Sequence, residues 1–286
     1  MQAGEPSRTA WASAFHRAAH QVLDEGRIFT DPLALRILGE DAEGVARGVE
    51  ERGLDRRMRT LIAVRTRFAE DALAAAGERG TRQLVVLGAG LDTYAYRGAL
   101  RGQLRIWEVD RLATQEWKRR RLADAGIDIP SNLTFAPVDF ECETLDGGLE
   151  SAGFDAREQS FFTWLGVVPY LTSESIRSTL DFIAQLPGGA HVVFDYADPP
   201  ESLSPEMRAA HEQRAARVAA AGEPFRTCFD SGELRAKLMD LGFREVEDLG
   251  PPEIAARYFP DRVGSIPAKG GHVLRASTIA TRPADS

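Results

Sequence analysis

The chain has 286 residues, 43 % apolar and 27 % charged, which is enough for one large domain with a sizeable core. Its formal net charge of −8 argues against a nucleic-acid partner, because phosphates reward an excess of Lys and Arg. Cys142 and Cys228 lie far apart without a CxxC, and no run of about 18 apolar residues occurs, so the sequence excludes a disulfide framework, a thiolate zinc site and a membrane span and predicts a cytoplasmic protein.

Residues 1–6 read as a loose start. Alanines and apolar residues at helical spacing predict a helix over 8–25, and Asp31-Pro32 reads as an N-cap followed by proline in the first turn of another. Over 51–80, Leu54, Met58, Leu61, Ile62, Phe68 and Leu73 recur every three to four residues, which predicts a helix ending at Gly77 or Gly80. From residue 83 short β-rich runs alternate with helical stretches: 83–89, 104–110, 133–140, 160–167 and 191–197. Helices are expected at 112–125, shortly before Phe154, and at 173–186. That alternation is the signature of a doubly wound α/β fold with a mostly parallel sheet. Beyond 197 a proline-rich connection precedes an amphipathic helix, and a further helix opens at Ser231. Strands at 244–250 and 271–280 are expected to form an antiparallel pair at the sheet edge, joined by a loop over 251–270. This organisation divides the chain into an N-terminal helical cap, 1–80, and a core, 81–286, with a helical lid insertion at about 197–230.

The stretch "LVVLGAGLDTYAYR" (84–97) carries the strongest signal. Open parallel sheets bind ligands at the carboxyl ends of their strands, and Gly88 and Gly90 remove side chains where a ligand must meet the backbone. A dinucleotide fingerprint needs a third glycine at position 93, which is Thr, and Asp92 would repel a pyrophosphate at the start of the next helix. Asp110, about twenty residues on, ends the second strand where a carboxylate accepts from ribose hydroxyls. Asp139 and Phe140 follow the third strand, where they can meet an amino group and an aromatic ring.

A resemblance follows from the ordered set "SRTA" (7–10), "IFTDPLA" (28–34), "VRTRFAEDAL" (64–73), "LGAGLDTYAYR" (87–97), "WEVD" (107–110), "VDF" (138–140), "WLGVVPYLT" (164–172) and "LPGGAHVVFDY" (186–196). Together these resemble the leucine carboxyl methyltransferase-like family of class I S-adenosylmethionine-dependent methyltransferases, which includes O-methyltransferases of polyketide pathways. The resemblance implies a Rossmann-like, seven-stranded sheet. It implies Arg65 on the methionine carboxylate of S-adenosylmethionine, Gly88, Ala89 and Gly90 against the methionyl part, Asp110 on the ribose, and Asp139 and Phe140 by the adenine. Thr30 and Leu165 stand where eukaryotic members carry Lys and Glu, which counts against a carboxyl-terminal leucine as acceptor.

No general base is set by motif. Tyr96, Tyr170 and Tyr196 are candidates for the acceptor side because each follows a strand end or the glycine loop. His16 and His20 share a helix face without a third ligand and read as a solvated or satisfied pair, so no metal is expected. Arg67 reads as a structural ion pair, "KRRR" (118–121) as a solvated face, and the cysteines as buried or incidental. The expected function is O-methyl transfer to a carboxyl or hydroxyl oxygen of a small-molecule acceptor, by a monomer or homodimer. An NAD-dependent oxidoreductase and a non-catalytic cofactor-binding relative are the alternatives.

Overall fold

The computed structural model describes residues 7–140, 143–260 and 266–280; Cys142 lies outside the described residues. Seven strands form one sheet: β1 (Gln83–Leu87), β2 (Arg105–Asp110), β3 (Leu133–Pro137), β4 (Ser160–Trp164), β5 (Ala190–Ala197), β6 (Glu245–Leu249) and β7 (Gly271–Ser277). Their order is β3-β2-β1-β4-β5-β7-β6; the β3-to-β5 pairs are parallel, and β7 runs antiparallel between β5 and β6. The late antiparallel pair therefore exists, but β7 is inserted inside the sheet and only β6 forms the edge. The order reverses direction at β1 and β4, the switch point at which open α/β sheets take their ligands.

Strand alternation decides which helix covers which face. Val85, Leu87, Trp107, Val109, Phe162, Trp164, Phe194 and Tyr196 form one cluster with α7 (Leu145–Ser151), α8 (Ser173–Ala184) and α10 (Ser231–Asp240). Leu84, Val86, Ile106, Phe161, Val193 and Val273 form the opposite cluster with α4 (Arg56–Glu78), α5 (Tyr94–Arg97) and α11 (Pro251–Tyr258). The helix α11 occupies part of the stretch expected to be a loop, because Pro251 and Pro252 sit in its first turn and Ile254 and Ala255 are buried.

A third cluster joins α1 (Arg8–Leu23), α2 (Ala34–Leu38) and α3 (Ala42–Arg52) to Leu91 and to Leu122 of α6 (Leu112–Asp124). The expected helical cap is thus two things: α4 is a layer of the sheet sandwich, and α1–α3 sit over the strand ends. The helix expected over 51–80 starts later, at Arg56, because the carboxylate of Asp55 caps Arg57 and Gly53, at φ +55°, ends α3. Asp31 Oδ1 accepts from the Leu33 N–H at 2.9 Å in the turn that opens into α2, whose N-cap is Leu33, and the carboxylate is also fully buried and accepts from Arg17, Arg97 and Thr93.

Basic run 118–121 is a solvated face only at Arg119 and Arg120, which are exposed. Lys118 is buried and pairs with buried Glu108 at 2.6 Å, Arg119 stacks over Phe135 at 3.9 Å, and Arg121 donates to the Ile37 carbonyl. Burial outweighs that pairing and pushes the Glu108 carboxyl up to about 7. Arg67 does form the expected ion pair, with Asp71 at 2.8 Å. Cys228 is exposed, not buried.

Two buried histidines set an acid limit on stability. His16 on α1 lies near Arg59 and Arg65, and His191 on β5 lies near Arg79 and Arg275; burial first, then those charges, lowers each from 6.5 to about 4. The folded protein keeps both rings neutral, whereas the unfolded chain protonates them near 6.5. Their contribution is complete above pH 6.5 and is lost as pH falls toward 4, about 3 kcal/mol each. Urea titrations between pH 7 and 4 should show this fall, and His191→Gln should flatten it; an unchanged slope would remove His191 from the account.

Candidate active site

The site sits where β1 ends. Backbone N–H of Ala89 donates to the Val109 carbonyl of the neighbouring strand, and the chain then turns through Gly88 at φ +63° and Gly90 at φ +46°. A Cβ on Gly88 would lie 2.4 Å from Val167 Cγ2, so only glycine fits both the dihedral and the space. The helix expected after this loop is a single turn, α5, and the Asp92 carboxylate accepts from the Tyr94 N–H at its start. Thr93, at the position a dinucleotide fingerprint reserves for glycine, is fully buried and bonds Asp31 and Arg97.

A cavity of about 190 Å³ opens over the loop. All seven residues expected on the cofactor side line it: Arg65, Gly88, Ala89, Gly90, Asp110, Asp139 and Phe140. The strand order separates their roles in space. Asp110 ends β2 and Asp139 follows β3, on one side of β1, whereas Arg65 lies against β4 and β5 on the other. Asp110 Oδ2 accepts from Gly90 N at 2.7 Å and Oδ1 from Arg111 N at 2.8 Å. Burial raises its carboxyl against the pull of those two N–H groups.

Arg65 Nη1 donates to Asp195 Oδ2 at 2.8 Å, and Asp195 Oδ1 accepts from Gly166 N at 2.6 Å. Its Nε is buried without a hydrogen-bond partner, a donor left over for an anionic group in the cavity. A Cβ on Gly166, at φ +74°, would press to 2.6 Å from Arg65 Nη2. Asp195 and Gly166 thus aim the guanidinium. Neither was named from sequence, although both sit in motifs whose neighbours were.

Of the three tyrosines, only Tyr170 lines the cavity. Burial pushes its phenol up to about 12, so it stays protonated as a donor. Tyr96 is a correction: it packs under α6 with Lys118 5.5 Å over its ring, outside the cavity. Tyr196 is another. Strand alternation turns Asp195 toward α4 and Tyr196 to the opposite face, where its hydroxyl meets Asp248 and His272. Histidines 16 and 20 are both buried; His20 Nδ1 pairs with Asp24, which also accepts from Arg59. No group of three or more metal-ligating side chains occurs among the described residues.

The residues present fit S-adenosylmethionine: a side-chain-free loop, a carboxylate at the end of β2, an apolar Phe140 past β3, and a buried guanidinium with a spare donor. No helix among the described residues is long and apolar enough to cross a membrane.

Residues 10–184 match the model of the family described as "Leucine carboxyl methyltransferase". The chain is 31% identical, over 94% of its length and 96% of the relative's, to the Bacillus subtilis (strain 168) protein named "Putative S-adenosyl-L-methionine-dependent methyltransferase YktD". A similarly named protein of Mycolicibacterium smegmatis is 36% identical over 50% of this chain and 48% of its own. Among solved structures, magnesium protoporphyrin IX methyltransferase (ChlM) from Synechocystis PCC 6803, with bound SAH, is 11% identical with a TM-score of 0.47, over 79% of this chain and 89% of that one.

Proposed function

The chain belongs to the leucine carboxyl methyltransferase family and is an S-adenosylmethionine-dependent methyltransferase, and from that premise we propose that it methylates a carboxyl or hydroxyl oxygen of a small, largely apolar metabolite. The observation that carries the reading is the cavity wall on the β4 side, where Ile62, Leu165, Val167 and Leu171 surround Tyr170 and Arg65. Such a wall suits a ring or acyl body, and a polyketide-like acceptor in the cytoplasm meets those terms.

S-adenosylmethionine brings a methyl group on a sulfonium, already activated for displacement. The chain's task is therefore to hold, align and exclude water. Asp110 would accept from the ribose hydroxyls, and Asp139 and Phe140 would flank the adenine. Gly88, Ala89 and Gly90 would let the methionyl part lie on the backbone, with its carboxylate on Arg65. Helix α1 and the segment after α9 (Pro205–Ala220) would cover the opening. No residue of α9 is buried, so this helix docks weakly enough to move with ligand entry.

Calorimetric titration with S-adenosylhomocysteine, with NAD in parallel, followed by transfer of a labelled methyl group to a panel of phenols and carboxylic acids, tests the reading. Micromolar binding of the first titrant and label on oxygen are expected. Binding of NAD alone, or label on nitrogen or carbon, would overturn it.

A further inference from the structure

The lid segment brings two charged residues to the cavity lining that the cofactor does not account for, the exposed Arg226 and the buried Glu223. Helix α9 ends in Ala221-Gly222-Glu223-Pro224. Gly222, at φ +81°, donates to the Ala219 carbonyl, and the Glu223 N–H donates to Val218, the paired bonds of a Schellman turn. Proline then prevents the helix from continuing. The turn delivers Glu223 into the cavity, and the chain beyond it is fastened down: Arg226 N donates to Pro169, the Thr227 hydroxyl to Leu171, and Phe229 N to Ala197. All three anchors lie at the ends of β4 and β5, on the side of the cavity away from Asp110 and Asp139.

Only 5% of Glu223 is exposed. Its Oε2 accepts from the N–H of Thr9 at 2.9 Å, one of the free donors of the first turn of α1. Its Oε1 is buried and has no hydrogen-bond partner. Glu223 lines the cavity, and a buried carboxylate oxygen without a donor is costly unless something that enters supplies one. Of the arginines lining this side, Arg65 pairs with Asp195 and its spare Nε is the one assigned to the methionine carboxylate, Arg17 pairs with Asp31 and the Leu91 carbonyl, and Arg226 is largely exposed to solvent. A carboxylate acceptor would place two anions together out of water, whereas a hydroxyl acceptor would supply the missing donor.

We propose that Glu223 selects a hydroxyl-bearing acceptor, such as a phenol or enol, by accepting its O–H at Oε1, and that it takes the proton as the methyl group is transferred. This rests on the methyltransferase reading above and narrows it. As the acceptor oxygen forms its bond to the methyl carbon, the sulfur–carbon bond breaks with its electron pair remaining on sulfur. The acceptor's proton passes to Glu223 Oε1 and from there to water. Tyr170, held protonated, donates but does not take the proton.

The test is equilibrium binding of two matched probes, 2-naphthol and 2-naphthoate, to the complex with S-adenosylhomocysteine. Wild type should bind the naphthol at least 10-fold more tightly. Glu223→Gln keeps an oxygen for Thr9 but loses the charge, so it should bring the two affinities within about 3-fold of each other. Its affinity for S-adenosylhomocysteine and its melting temperature should not change. A wild-type preference for naphthoate, equal affinities, no binding of either probe, or an unchanged ratio in the variant would each overturn the proposal. A 10-fold loss of S-adenosylhomocysteine affinity in the variant would also overturn it, assigning Glu223 to the cofactor. Failure of wild type to bind S-adenosylhomocysteine at all would instead defeat the underlying function.

Discussion

Replacing Asp110 by Ala is expected to cut affinity for S-adenosylhomocysteine at least 100-fold while leaving the melting temperature within a few degrees of wild type. Each oxygen of this carboxylate already accepts one backbone N–H, from Gly90 and from Arg111. Asp110 lines the cavity, and on the proposed reading its remaining lone pairs accept from two ribose hydroxyls. Hydrogen bonds to a charged group contribute about 1.5–3 kcal/mol each, so losing two corresponds to two decades or more. The variant also frees the N–H of Gly90, which loosens the loop that must lie against the ligand. Stability should change little, because burial raises the Asp110 carboxyl and the charged side chain therefore costs the unliganded protein something. Calorimetric titration with a parallel thermal melt separates the two effects. A loss of less than about 3-fold would mean that Asp110 holds the loop and not the ribose.

Strand ends were the legible part of this protein, because a strand buried on both faces writes itself as an apolar run and a loop that touches a ligand must use glycine. That is why Gly88, Gly90, Asp110 and Asp139 all line one cavity. The failures come from relations that one-dimensional patterns do not carry. Tyr196 and Asp195 are adjacent in sequence but point to opposite faces, and only the position of α4 decides which face matters. Glu108 does carry a signal: an acid between Trp107 and Val109, inside the buried run Ile106–Val109, needs a buried cation, which is Lys118. Glu223 gave none, since its role depends on Thr9, 214 residues away in sequence. Asp31 keeps the local bond that its motif implies, from the Leu33 N–H, but its distant partners Arg17, Arg97 and Thr93 are not written in that motif.

Those contacts make Asp31→Ala the substitution with the largest expected effect on stability, about 3–5 kcal/mol. Its carboxylate is fully buried, with Arg17 Nε at 2.8 Å, Arg97 Nε at 3.2 Å and the Thr93 hydroxyl at 2.7 Å. Truncation strands two largely buried guanidinium groups at once. Arg97 keeps Glu70 at 2.6 Å, but Arg17 keeps only its bond to the Leu91 carbonyl. Adding Arg17→Met should therefore recover part of the loss, because it removes the stranded charge and leaves its apolar stem. Urea unfolding of both variants reads this directly; a double variant that is additive or worse would show that the pair is not coupled. The same network reaches the cavity, for Arg17 holds Leu91 and Thr93 holds the turn after Asp92. Asp31→Ala should then weaken S-adenosylhomocysteine binding about 10-fold from outside the site, together with its loss of stability, whereas Asp110→Ala should weaken binding alone. That contrast separates a residue that meets the ligand from one that holds the loop on which the ligand rests.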